Sequence, residues 1–96
     1  MLSRLSSEKG TVLVEFYATW CPHCRKMEPV VEDVKASLEG KVPVYQFDID
    51  KEPDFSDEQK VEVVPTFMVF KDGAMVWTAS GEIDGNMLCS KVEENM

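Results

Sequence analysis

The strongest constraint in this sequence is a strand that feeds into a long helix. Val12 to Tyr17 is nearly all β-branched, aliphatic or aromatic, the pattern of a buried strand, and Glu15 is its one charge. Residues 22 to 39 read as the longest helix, with Met27, Val30, Val31, Val34 and Leu38 on one apolar stripe. Glu32, Asp33, Lys35 and Glu39 lie largely off that stripe. Pro22 suits the first helical turn, where its missing N–H is no loss, while Pro29 inside the helix predicts a kink and Gly40 ends it. Val42 to Phe47, with Pro43 near its entrance, is a second strand. A strand, helix, strand unit crosses over right-handed and makes its two strands parallel.

The remaining elements follow the same logic. Residues 48 to 60 are acidic and predict a loop, then a short helix near Ser56 to Val61. Ser56 is the expected N-cap, with Gln59 completing a capping box. The acidic run reads as a solvated face, because it lacks the ligand and glycine spacing of a calcium loop. Thr66 to Phe70 and Met75 to Ala79 are strands joined by Lys71-Asp72-Gly73-Ala74, and Asp-Gly between apolar runs signals a hairpin. The last helix runs from about Asp84 to Asn95. In front, Leu2 and Leu5 suggest a short helical stub within residues 1 to 11, which Gly10 can cap. The order predicts one α/β domain over residues 1 to 96.

Composition narrows the function. The 96 residues carry a net charge of −8, which argues against nucleic acid or an anionic membrane as partner. At 44% hydrophobic the chain can bury a modest core, and no apolar run approaches a membrane span of about 20 residues. Three cysteines are too few, and of the wrong parity, for a disulfide-stapled miniprotein.

Two of those cysteines carry chemistry. Cys21-Pro22-His23-Cys24 sits where the first strand ends and the long helix begins. A helix N-terminus offers partial positive charge and unpaired N–H groups, and both stabilise a thiolate. Cys21 receives most of that field and is the expected nucleophile. Cys24, one turn on, can reach it and resolve it. Cys21 is expected at the rim and Cys24 beneath it. His23, Arg25 and Lys26 add positive charge nearby. The competing reading is half a zinc site, but only His23 and Cys89 remain as soft ligands and no second Cys-x-x-Cys exists, so no metal is expected. Cys89 itself reads as a small buried hydrophobe and Trp77 as a sheet-packing aromatic.

The stretch from Val12 to Met27 closely resembles the active-site segment of the thioredoxin family. Pro29 matches the proline of that family's active-site helix, Phe47-Asp48-Ile49-Asp50 the end of its central strand, Val64-Pro65-Thr66-Phe67 its cis-proline loop, and Lys71-Asp72-Gly73 its hairpin. Gly81 matches the glycine lining its substrate groove. The resemblance implies a thioredoxin fold with a central mixed sheet of four strands flanked by helices, without the first strand that members usually carry.

It also implies roles. Cys21 attacks a substrate disulfide and Cys24 resolves the mixed disulfide. Glu15 matches a buried acid that relays a proton to or from Cys24. Independently, a lone carboxylate in an apolar strand has its pKa raised by desolvation. Val64–Pro65 is expected to be cis and to present the Val64 backbone to a substrate peptide, with Trp20 and Gly81 completing the groove. The implied activity is reduction of disulfides in other proteins, without a cofactor, by a monomer that takes electrons from a reductase or a membrane donor. Alternatives are a disulfide oxidase or isomerase, and a non-catalytic binding module. Pro22-His23 motivates the oxidase, since members that reduce usually carry Gly-Pro there. Gln46 is a further departure, standing where a lysine is usual beside the buried acid, so the raised pKa of Glu15 is expected to be opposed less. The cytoplasm is the expected compartment, or the periplasm or exterior if a leader has been removed.

Overall fold

The computed structural model describes residues 9 to 96. The helical stub expected in front falls mostly outside that range, and its last residue, Thr11, already belongs to a strand. The elements are β1 (Thr11–Tyr17), α1 (Pro22–Leu38), β2 (Val44–Asp48), α2 (Pro53–Glu58), β3 (Thr66–Lys71), β4 (Ala74–Ser80) and α3 (Gly85–Glu94). They build a four-stranded sheet in the order β2-β1-β3-β4. β1 pairs parallel with β2 and antiparallel with β3, and β3 pairs antiparallel with β4. This is the expected mixed sheet.

Both faces of β1 are covered, which is why its sequence is continuously apolar rather than alternating. Leu13 faces a core made with Met27, Val31 and Val34 of α1, Phe67 and Val69 of β3, and Leu88 and Val92 of α3. Val12, Val14 and Phe16 point to the other face, against Met68, Phe70 and Phe55 of α2. Side chains alternate along a strand, so Glu15 shares the face of Leu13 and lies on the α1 side. Trp77 packs partly buried on that same core.

Two boundaries moved for stereochemical reasons. β2 begins at Val44 rather than Val42, because Pro43 has no N–H to give to a ladder; its carbonyl instead accepts from Leu13 N–H at 3.1 Å. α2 begins at Pro53, whose fixed φ suits the first helical turn, and not at Ser56. The capping box is therefore absent: Ser56 lies inside the helix and its hydroxyl donates to the Glu52 carbonyl at 2.8 Å, while Gln59 is the C-cap. The β3–β4 turn is as expected, with Asp72 and Gly73 both at positive φ, 51° and 86°.

Candidate active site

β1 ends at Tyr17, and four residues later α1 begins with Cys21 as its N-cap, in extended conformation at φ −88° and ψ 121°. The helix has no acidic residue in its first turn and no side chain capping its N–H groups, so those donors are left for sulfur. Both thiols are free. Cys21 Sγ lies 3.6 Å from the Val64 carbonyl, and Cys24 Sγ accepts from Ala18 N–H at 3.5 Å.

The two cysteines differ in a way the sequence placed wrongly. The expected contrast was rim against interior, yet Cys21 is 5% exposed and Cys24 4%. Ala18 is buried with both, and Tyr17, Ile49 and Val64 pack against the three. The contrast lies in whether hydrogen bonds or burial prevail at each thiol. The backbone N–H of Cys24 lowers the Cys21 thiol below its ordinary range against the opposing effect of burial, with help from the Cys24 thiol, the His23 N–H and the Arg25 charge. Burial pushes the Cys24 thiol up to about 11, and the nearby Cys21 and Glu15 charges push the same way, while the Ala18 N–H opposes. Helix geometry and burial thus part the two thiols, Cys21 downward and Cys24 upward.

Glu15 is 3% exposed and sits beneath the pair on β1. Burial raises its carboxyl above the ordinary value, the Gln46 hydrogen bond draws it back, and the Glu28 charge adds to the rise. Gln46 Nε2 donates to Glu15 Oε1 at 2.9 Å, from the position directly opposite on β2. A neutral amide thus stands where a cation was expected to be missing, and its hydrogen bond is what opposes the rise of Glu15.

The groove residues assemble around the thiols. The Val64–Pro65 peptide is cis. The Pro65 carbonyl accepts from Gly81 N–H at 2.8 Å, with Gly81 at φ 95°, which joins the end of β4 to that loop. Trp20 is 60% exposed, and its indole N–H donates to Asp50 Oδ2 at 2.8 Å. His23, between the cysteines, turns its ring outward to Glu82 at 2.7 Å. Pro22 occupies the first helical position. Cys21, Cys24, Glu15, Pro22, His23, Trp20, Val64, Pro65 and Gly81 are therefore gathered around this one region. Asp50, Glu82 and Lys35 were not singled out in the sequence. Asp50 had been absorbed into a solvated acidic run, and no local pattern tells which carboxylate will meet a distant His or Trp. Cys89 lies elsewhere, half-buried against the α1–α3 core. Among the described residues no group of three His, Cys, Asp or Glu side chains is placed to hold a metal ion. Nor is any described helix long and apolar enough to cross a membrane.

The comparisons with known proteins agree with this geometry. A family model described as Thioredoxin matches residues 2–94. A chloroplastic thioredoxin of the Y type from Arabidopsis thaliana is 34% identical over 92 residues, covering 96% of this chain and 55% of the relative. Thioredoxin from Staphylococcus aureus is 42% identical over 69 residues, 72% of this chain and 66% of the relative. Among solved structures, a mutant thioredoxin from Halobacterium salinarum NRC-1 superposes with a TM-score of 0.83 at 31% identity, covering 97% of this chain and 80% of that one. Oxidised mitochondrial thioredoxin 3 from Saccharomyces cerevisiae superposes at 0.84 with 27% identity, covering 96% and 85%. The chain spans about half the length of the plant relatives it matches.

Proposed function

The chain belongs to the thioredoxin family, and on that premise we propose that it is a protein thiol–disulfide oxidoreductase that reduces disulfides of other proteins through Cys21 and Cys24. The observation that carries this reading is the division of the two thiols. Cys21 is held by helix N-terminal N–H groups and lowered, while Cys24 is buried and raised to about 11 over a protonatable Glu15.

The steps follow from that division. The Cys21 thiolate attacks one sulfur of a substrate disulfide; a mixed disulfide forms and the other substrate sulfur leaves as a thiolate. Glu15 takes the proton of Cys24, whose thiolate then attacks Cys21 Sγ. The Cys21–Cys24 disulfide closes and the second substrate thiolate leaves. Two electrons pass to the substrate, and the leaving thiolates take up protons. Val64 and Gly81 offer backbone for pairing beside the thiols, and the exposed face of Trp20 offers apolar contact. Pro65 braces the loop that carries Val64.

His23 favoured an oxidase in the sequence. In the fold its ring is engaged by Glu82, and the side-chain charge that acts on Cys21 is that of Arg25. This supports the reducing direction. The electron donor, a reductase or a membrane partner, and a cytoplasmic location remain part of the proposal.

Equilibration in glutathione buffers with thiol trapping tests the direction. A potential near about −270 mV, typical of protein reductants, is the expected result; one near about −120 mV overturns it in favour of an oxidase. Insulin reduction with dithiothreitol tests catalysis itself. Full activity in Cys21→Ser would overturn catalysis through this motif.

A further inference from the structure

A chain of polar contacts runs from the surface of α1 to the buried acid. Lys35 Nζ donates to Gln46 Oε1 at 3.3 Å, and Gln46 Nε2 donates to Glu15 Oε1 at 2.9 Å. Only one orientation of the Gln46 amide suits both neighbours. Flipped, it would turn its NH₂ toward an ammonium and its carbonyl toward a carboxyl oxygen. The cation therefore fixes the amide, and the fixed amide makes Glu15 Oε1 an obligate acceptor. A proton on Glu15 must then sit on Oε2.

We propose that Lys35 is a positioning residue for Glu15, acting through Gln46 to set the pH at which Glu15 exchanges its proton during resolution by Cys24. The proposal rests on the reading of Glu15 as proton carrier. Charge-assisted hydrogen bonds are stronger than neutral ones, and a polarised amide is a better donor to a carboxylate than to a carboxylic acid. Lys35 thus favours the ionised form of Glu15 across a distance too long for direct pairing.

The other groups around Glu15 do not supply this. Glu28 on α1 and Cys24 oppose its ionisation, as does Tyr17 when charged. Phe67, opposite it on β3, is apolar. Lys35 is itself shared with Glu32 at 3.9 Å, an exposed contact one turn away. The lysine missing from the β2 position is in this sense replaced by a lysine on α1 with a glutamine between.

The test is the ¹³C titration of the Glu15 carboxyl in the reduced protein, alongside the pH profile of mixed-disulfide resolution. In Lys35→Met the Glu15 midpoint moves to higher pH, the acid limb of resolution moves with it, and the rate on that limb falls about threefold or more. Lys35→Arg keeps both near the parent, since it retains the cation. Lys35 is partly exposed and outside the core, so these variants are expected to fold. An unmoved midpoint in Lys35→Met, with Gln46→Leu still moving it, overturns the proposal: Gln46 then acts alone. A midpoint that moves while the resolution profile stays fixed upholds the control by Lys35 and refutes the role of Glu15 in resolution.

Discussion

His23 and Glu82 meet at 2.7 Å across the rim of the site, joining the helix that carries both thiols to the turn after β4. The residue between the cysteines is thus held by a carboxylate that lies fifty-nine positions away in the chain. The His23 hydrogen bond is also the main reason that the Glu82 carboxyl lies below its ordinary range.

That contact predicts a more oxidising protein in Glu82→Gln. The substitution removes one negative charge and can cost the imidazole no more than part of one positive charge. The field at Cys21 therefore becomes more positive at every pH, and the thiolate of the reduced form gains. The glutathione equilibrium constant should shift about two- to fivefold toward the reduced dithiol, or roughly 10–20 mV. Redox titration of parent and variant checks it. Thermal stability should hardly change, because both side chains are well exposed.

Glu15→Gln should slow turnover at neutral pH while stabilising the fold. The folded carboxyl holds its proton more tightly than the unfolded one, whose ordinary value is 4.5. As pH rises from there through the folded midpoint, the folded state holds more protons than the unfolded state, so stability falls. The variant lacks that penalty. Its advantage over the parent should be present at pH 8 and fade toward pH 4, as urea titrations at several pH values would show. Insulin reduction should drop on the order of tenfold or more.

Alkylation should discriminate the thiols. With Cys21 lowered and Cys24 raised to about 11, limiting iodoacetamide at pH 7 should modify Cys21 first. Burial and the charge of Glu93 raise Cys89 too, so it should lag. Peptide mass mapping reads the order. In Cys24→Ser, client proteins should accumulate as mixed disulfides on Cys21, since nothing remains to resolve them.

Leu88→Ala tests the packing beneath the site. Leu88 is fully buried among α1, β1 and β3 residues, and truncation leaves a cavity there. The expected loss is about 2–5 kcal/mol. The midpoint of thermal unfolding, followed by circular dichroism, should fall by roughly 10–30 °C. The potential of the dithiol, set at the other end of α1, should barely move.

What was legible in the sequence was local. Val12 to Tyr17 announced a strand covered on both faces because no polar alternation interrupts it, and Asp72-Gly73 announced its turn because both residues tolerate positive φ. Cys21 could be placed at a helix N-terminus from the end of the apolar strand, the stripe from Met27 to Leu38 and Pro22. At Ser56 the miss was local: Pro53, three residues earlier, suits the first turn and starts the helix before the serine. The other failures came where a long-range neighbour decided. Cys21 was expected at the rim, but Val64 comes in from a remote loop, packs against the pair and leaves Cys21 as little exposed as Cys24. Gln46 read as the loss of a cation, because Lys35 is eleven positions earlier on another element. The fold and the place of Cys21 at the start of α1 were readable; the distant side chains that meet around it were not.

The pairing of β1 with β3 has a consequence for how the protein is made. Phe16 sits opposite Thr66 and Thr11 opposite Lys71, so this ladder closes loops of some fifty to sixty residues. Such closures come late, because chain entropy is spent before the contact rewards it. The helix bearing Cys21 and Cys24 needs only its own turn to form. The Val64 carbonyl that covers Cys21 comes from forty-three residues downstream. During synthesis and refolding there is therefore an interval in which the thiols exist without their cover. They are then open to any oxidant until the loop that carries Val64 docks.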